Sequence, residues 1–161
     1  MIIGLGNEMR GDDGAGLRVV DLLTGRGFDA IRFDGEPISL LDLWPGSDRV
    51  LVIDAVAGSR PGRICRLLPS VDDLPVVLAP GSSHLVGLAE VIELGSQLDL
   101  LPARLELIGI EGTEFALGRP LSAAVEAACE TVAATIIAEL ESAGPSGAAA
   151  GVGVGARGVP R

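Results

Sequence analysis

The hydrophobic positions of the chain form short continuous runs and amphipathic stretches that alternate along the first 143 residues. Continuous aliphatic runs with β-branched residues predict strands at 2–5, 30–34, 49–54, 63–68, 75–79 and 104–110. Apolar positions with a helical period predict helices at 14–24, 37–44, 85–98 and 121–141. Because most of these strands are followed by a helix, the order predicts a mainly parallel sheet with right-handed crossovers.

The predicted fold is an α/β domain of three layers, in which a mainly parallel twisted sheet of about five strands carries helices on both faces. The link before the run at 63–68 is short and contains Pro61-Gly62, so we expect that strand to run antiparallel to its neighbour. After Gly144 the sequence becomes PSGAAAGVGVGARGVPR, which has no apolar periodicity. We therefore expect one domain over 1–143 and a flexible tail over 144–161.

Composition and charge narrow the class of protein. Hydrophobic residues make up 48% of the 161 residues but aromatic ones only 2%, which suits aliphatic strands covered by helices. The formal net charge of -10 is unfavourable for binding nucleic acid or anionic lipid. No apolar run is long enough to span a bilayer, and the start MIIGLGN contains no basic leader. We expect a cytoplasmic monomer that binds neither nucleic acid nor membrane.

The two cysteines, Cys65 and Cys129, lie far apart and in no C-x-x-C pattern, so they do not form a structural zinc site by themselves. Cys129 falls in the apolar run predicted as the last helix, where a small core residue is expected. A catalytic thiol or a disulfide is the minority interpretation for both.

Candidate functional residues cluster where predicted strands end. The turn GLGNEMRGDD after the first strand carries Asp12 and Asp13, the strand RVLVID ends in Asp54, and His84 follows the strand PVVLA. The carboxyl ends of parallel strands meet at one edge of a sheet, which is where such folds bind ligands. Two carboxylates and the chain's single imidazole at that edge would form a metal site with open positions.

Each of these residues also has a purely structural interpretation. Asp12 or Asp13 could cap the helix that begins near Gly14, and two aspartates in a row would leave one for another role. Asp54 could bond loop amides at the end of its strand, and His84 could be an ordinary loop residue or cap the next helix.

Other chemistries fit the sequence less well. A G-x-G-x-x-G nucleotide turn would need glycine where Met9 stands, and paired aspartates would repel a pyrophosphate. A triad drawn from Ser82 or Ser83, His84 and an aspartate would place nucleophile and base side by side, and no G-x-S-x-G elbow is present. A mechanism in which Asp13 and Asp54 share a proton and activate water remains open.

Four segments carry a resemblance to a known family over nearly all of residues 1–141. They are GLGNEMRGDDGAG (4–16), LLDLWPGSDRVLVIDAV (40–56), PGSSHLVGL (80–88) and LELIGIEGTEFALGRPLSAAV (105–125). In these segments the chain resembles the maturation endopeptidases of nickel–iron hydrogenases. The resemblance places the family's two metal-binding acids at Asp13 and Asp54 and its histidine at His84.

The resemblance implies an activity and a partner. Such an endopeptidase removes a short C-terminal extension from the hydrogenase large-subunit precursor after nickel has been loaded into that subunit. Nickel would then be presented by the substrate protein, with no organic cofactor, and could either take part in hydrolysis or only hold the substrate. Two alternatives remain open: a non-hydrolytic nickel-binding assembly chaperone for the same partner, and a nucleotide-binding protein.

Overall fold

The computed structural model describes residues 1–69 and 83–143, and of residues 83–86 only the backbone. The strands in these ranges are β1 (Ile2–Leu5), β2 (Ile31–Phe33), β3 (Arg49–Ala57), β4 (Ile64–Leu67) and β5 (Arg104–Gly112). The α-helices are α1 (Ala15–Thr24), α2 (Leu40–Leu43), α3 (Ser83–Gln97) and α4 (Ala123–Ser142). Short 3-10 turns, Gly11–Gly14 and Pro37–Ser39, lead into α1 and α2.

The five strands form one sheet in the order β2-β1-β3-β5-β4. Strands β2, β1, β3 and β5 run parallel to one another, and β4 pairs antiparallel with β5. This arrangement confirms the predicted three-layer α/β fold and the antiparallel direction of the strand at 63–68.

The two faces of the sheet bury separate hydrophobic cores because alternate residues of β3 point in opposite directions. Leu51, Ile53 and Ala55 pack on the face covered by α1 and α4, while Val50 and Val52 pack on the face covered by α2 and α3. Helices therefore cover both faces of the sheet, as the alternation of strands and helices predicts.

Two element boundaries differ from the sequence predictions in a way that affects the candidate residues. The strand predicted at 49–54 continues to Ala57, because β5 supplies a pairing partner as far as Gly112. The helix predicted to begin at residue 85 begins at Ser83, so His84 belongs to its first turn and not to the preceding loop.

The predicted strand at 75–79 and the predicted tail at 144–161 lie outside the described residues. Within residues 1–69 and 83–143, no helix combines the length and apolarity needed to cross a membrane.

Candidate functional site

The turn between β1 and α1, residues 6–14, is called the site loop here. It reverses direction at Gly6, whose φ of +136° is a conformation that side chains rarely allow. A Cβ at Gly6 would also lie 1.9 Å from the carbonyl oxygen of Asp13. That carbonyl accepts a hydrogen bond of 3.2 Å from the backbone N–H of Asn7. The glycine therefore lets the site loop fold back on itself with Asp13 at its closing point.

A second glycine brings α1 against the sheet. A Cβ at Gly16 would lie 2.3 Å from the carbonyl oxygen of Leu5 and 2.4 Å from that of Ile53. Only a residue without a side chain allows the helix to approach β1 and β3 so closely. As a result, the 3-10 turn that carries Asp13 packs against β3, the strand that carries Asp54.

At Asp54, β3 still pairs with β5 on one side but no longer pairs with β1 on the other. The pairing of β3 with β1 ends at Ile53, whereas its pairing with β5 continues to Ala57. Asp54 therefore lies at the carboxyl edge of the sheet on the β1 side, even though its own strand does not end there. The prediction that Asp54 is the last residue of its strand is wrong. The residue nevertheless lies at the carboxyl edge of the sheet, as predicted.

The Asp54 carboxyl group is buried, with 3% of the residue exposed. Its Oδ1 accepts a hydrogen bond of 2.8 Å from the backbone N–H of Ala55. Its Oδ2 has no hydrogen-bond partner within the described part of the chain. A buried acid oxygen in that position is suited to exchange a proton with a bound molecule.

Burial raises the pKa of Asp54 to about 8, against a smaller opposite effect of the Ala55 hydrogen bond. The negative charge of Asp13 raises the pKa further. Asp13 is itself buried, with 2% of the residue exposed. The two candidate carboxyl groups are thus close enough for the charge of Asp13 to favour the protonated form of Asp54.

Asp54 also lines a cavity of about 20 Å³ between the sheet and α3. The volume is about that of one water molecule. Apart from Asp54, the cavity is walled mainly by aliphatic side chains and the Cys65 thiol; the aliphatic residues are Val52, Val56, Leu67, Leu88, Leu107 and Ile108.

Asp12 does not cap α1, contrary to the sequence interpretation. The residue that precedes the helix is Gly14, which makes no side-chain capping hydrogen bond. The Asp12 carboxylate instead accepts hydrogen bonds from the backbone N–H groups of Thr113, Glu114 and Ser122, at 3.0, 3.0 and 2.8 Å. Burial opposes ionisation, but these bonds outweigh it and lower the pKa of Asp12. The Asp12 side chain points away from α1 because three backbone N–H groups of residues 113–122 donate hydrogen bonds to it.

The structure describes the side chains of two of the three predicted site residues, Asp13 and Asp54, but not that of His84. Asp13 and Asp54 come together, while for His84 only the backbone is described, in the first turn of α3. No group of three His, Cys, Asp or Glu side chains that could hold a metal occurs among the described side chains. The two carboxylates are nevertheless donors that suit a divalent first-row ion, and an imidazole would add the usual third donor.

The cysteines are not linked to each other, and both thiols are free. Cys129 is fully buried in the core between α1, α4 and the sheet, as predicted. Burial raises the pKa of its thiol to about 12, which makes it an inert core group.

Sequence reasoning missed the loop between β5 and α4, residues 113–122, as part of this edge. Its backbone amides hold Asp12, and its residues lie beside the site loop. In the sequence this loop appeared only as part of the segment 105–125 that carries the family resemblance. A contact between residues more than 100 positions apart in the sequence leaves no local signal that could have revealed it.

The family model described as hydrogenase maturation protease matches residues 28–139. The match includes Asp54 and His84 and begins after Asp13. Among curated proteins, protein FrxA from Pyrococcus furiosus is 28% identical over 120 residues, which is 73% of this chain and 88% of FrxA. The hydrogenase expression/formation protein HupD from Thiocapsa roseopersicina is 32% identical over 123 residues, 71% of this chain and 55% of HupD.

Solved structures give the same picture. The NiFe hydrogenase maturation protease HybD from Thermococcus kodakarensis is 31% identical, with a TM-score of 0.69 over 86% of this chain and 96% of that one. The hydrogenase maturating endopeptidase HybD from Escherichia coli has a TM-score of 0.72 over 89% of this chain and 92% of that one, at 24% identity, so it supports the fold. Since the family model spans more than half of the chain, the chain belongs to the hydrogenase maturation protease family.

Proposed function

We propose that this chain is an endopeptidase that removes the C-terminal extension of a nickel-loaded hydrogenase large-subunit precursor. The observation that carries the proposal is the pair of buried carboxyl groups, Asp13 and Asp54, at the carboxyl edge of the sheet in a chain of this family. The Oδ2 of Asp54 has no partner within the described residues and is the group that would act on the scissile bond.

Asp54 would serve as the general base. In its ionised form its carboxylate takes a proton from a water molecule while the water oxygen attacks the scissile carbonyl carbon. The same proton then passes to the leaving amide nitrogen as the carbon–nitrogen bond breaks. A group whose pKa lies near neutral pH, about 8 here, is suited to both transfers.

Nickel would enter this site as part of the substrate. Asp13, Asp54 and His84 would contact the nickel ion that the precursor presents, because carboxylate and imidazole donors suit a divalent first-row ion. A cation beside two carboxylates also favours their ionised forms. Recognition of a loaded precursor and readiness of Asp54 to accept a proton would then depend on the same contact.

The test is to incubate the purified chain with nickel-loaded and nickel-free precursor and to follow the precursor by mass spectrometry. We expect loss of a C-terminal peptide from the loaded precursor alone. Asp13→Asn, Asp54→Asn and His84→Ala should each abolish cleavage while the variants stay folded by circular dichroism. Asp42→Asn, which changes an exposed carboxylate on α2, is the matched control and should cleave at the wild-type rate.

Two outcomes would contradict the proposal. Normal cleavage by Asp54→Asn would remove Asp54 from the reaction. Intact precursor in a stable complex with the wild-type chain would instead favour a nickel-binding assembly chaperone that uses the same residues without hydrolysis.

A further inference from the structure

The Asp12 carboxylate is the centre of a contact between two loops that are far apart in the sequence. No part of the residue is exposed, and both of its oxygens accept backbone hydrogen bonds. Oδ2 accepts from the N–H groups of Thr113 and Glu114, each at 3.0 Å, and Oδ1 accepts from that of Ser122 at 2.8 Å. One side chain thus holds both ends of the β5–α4 loop, residues 113–122.

Backbone bonds continue the contact along the site loop. The N–H of Asp12 donates to the carbonyl of Glu114 at 2.7 Å, and that of Gly11 donates to the carbonyl of Arg119 at 3.0 Å. The N–H of Gly118 donates to the carbonyl of Met9 at 2.7 Å. The two loops therefore form one unit, with the Asp12 side chain on its buried side.

Space around Asp12 is closed. A Cβ at Gly112 would lie 2.5 Å from the Asp12 Cβ, and one at Gly11 would lie 2.5 Å from the carbonyl oxygen of Glu114. The outer side of the unit faces solvent, where 76% of Leu117 and 58% of Met9 are exposed. The inner side of the unit cannot rearrange without moving Asp12, because these close approaches leave no free space around its side chain.

We propose that Asp12 is a positioning residue for the cleavage reaction, an inference that rests on the proposed function. By holding the β5–α4 loop against the site loop, it keeps the next residue, Asp13, in a fixed place relative to Asp54 while the precursor binds. Asp12 and Asp13 share one 3-10 turn, Gly11–Gly14, so a shift of the first carries the second with it. A displacement of about 1 Å in a catalytic arrangement is enough to lower a rate about 100-fold.

The test is Asp12→Asn assayed on nickel-loaded precursor. Asparagine keeps the shape of the side chain but turns one acceptor oxygen into a donor, so at least one of the three backbone N–H groups would face another donor. We expect kcat per folded molecule to fall about 10- to 100-fold. KM should stay within about threefold, because the solvent-facing side of the unit is unchanged.

Glu106→Gln is the matched control. Glu106 is as buried as Asp12 and accepts hydrogen bonds from Arg49, Arg66 and Arg104. It lies on β5 three residues before Gly109, the residue that pairs with Asp54, so it is about 10 Å from Asp54 along the sheet. A loss of stability alone would affect both variants in the same way, so Glu106→Gln should have a lower Tm and an unchanged kcat.

An Asp12→Asn variant that is folded, less stable and fully active would overturn the positioning role and leave the proposed function intact. A wild-type chain that fails to cleave would overturn the proposed function, and the positioning role with it. If Asp12→Asn unfolds in buffer, the assay is repeated with all proteins in sucrose, which favours the folded state. An unchanged kcat under those conditions counts against the proposal in the same way.

Discussion

Asp54 has a different acid–base behaviour from a carboxyl group in water because its position combines burial, one hydrogen bond and a neighbouring negative charge. Burial alone disfavours the ionised form, and Asp13 adds to that effect. The protein thus keeps a protonated acid at neutral pH where ordinary aspartates are ionised. Such a group costs stability whenever it is forced to ionise, which is typical of residues kept for function.

Asp54→Asn should therefore stabilise the protein in a pH-dependent way. The pKa of Asp54 is about 8 in the folded chain against 3.8 ordinarily, so between these values the folded state binds more protons than the unfolded state. The free energy of unfolding of the wild type should fall as pH rises through this window, by up to about 1.4 kcal/mol per pH unit, and level off above pH 8. Urea denaturation at pH 5, 6.5 and 8 should show the advantage of Asp54→Asn growing across the series.

Asp29→Asn, at an exposed position, is the control for this series and should follow the wild type at every pH. An Asp54→Asn variant whose stability stays parallel to that of the wild type from pH 5 to 8 would show that Asp54 is ionised in the folded chain.

The contact between α1 and the strands β1 and β3 is unusually close. Gly16 in the first turn of α1 lies against the carbonyl groups of Leu5 and Ile53, which are backbone atoms and cannot rotate away. This contact sets the depth at which the site loop enters the carboxyl edge of the sheet. The position of Asp13 therefore depends on a helix-to-sheet distance that a single methyl group would change.

Gly16→Ala should destabilise the protein by about 1–3 kcal/mol, even though alanine favours a helix over glycine by about 1 kcal/mol. The added Cβ would lie less than 2.5 Å from two carbonyl oxygens, so α1 must move outward. We expect cleavage of the precursor to be lost together with a lower Tm in thermal unfolding.

Gly95→Ala makes the same change within α3. There the atoms nearest to the added Cβ belong to the ends of the Leu101 and Leu41 side chains, which can rotate. It should leave stability within about 1 kcal/mol of the wild type, since the gain in helix propensity offsets a small repacking cost. Equal losses in the two variants would argue that Gly16 is not a special contact.

At the scale of the whole molecule, the two edges of the sheet differ in the surroundings of their most buried acidic groups. The acidic site lies at the carboxyl edge, while the amino ends of β3 and β5 carry Arg49 and Arg104. These two residues and Arg66 surround the buried carboxylate of Glu106, and Arg66 also pairs with Glu139. The buried carboxylate at the amino edge is thus paired with three arginines, whereas the Oδ2 of Asp54 at the opposite edge has no hydrogen-bond partner among the residues the structure describes.

Glu106 should contribute stability that is lost in acid. Burial opposes its ionisation, but hydrogen bonds from Arg49 and Arg66 outweigh burial and lower its pKa to about 2, against 4.5 ordinarily. This stabilisation is complete above pH 4.5 and disappears as pH falls towards 2. Glu106→Gln should lower the free energy of unfolding at pH 7 by about 1–3 kcal/mol and flatten its dependence on pH between 4.5 and 2.

Glu8→Gln tests whether burial is the cause. Glu8 pairs with Arg32 on the surface, where an ion pair contributes about 0–1 kcal/mol. Loss of this ion pair should leave the Tm nearly unchanged, both at pH 7 and between pH 4.5 and 2. A Glu106→Gln variant that behaves like Glu8→Gln would show that the charge cluster at the amino edge does not hold the sheet together.

Local sequence patterns were sufficient for most of the fold. Continuous aliphatic runs marked β1 and the starts of β3 and β5, because strands buried on both faces contain few polar residues. Helical periodicity marked α1 and α4, because each helix buries one apolar face in the core against the sheet. The end of β3 could not be predicted, since Ala55 to Ala57 are in the strand only because β5 runs alongside them.

For the site, the sequence by itself determined the residue types and the edge at which they meet. Strand order alone places the Asp12-Asp13 pair and Asp54 at one edge, because parallel strands end on the same side, and the family resemblance selects Asp13 from the pair. Only the tertiary structure decided which of the paired aspartates is structural, what raises the pKa of Asp54, and that the β5–α4 loop completes the edge. Burial, mutual repulsion of charges and bonds between residues 100 positions apart exist only after the chain has folded, so no local pattern encodes them.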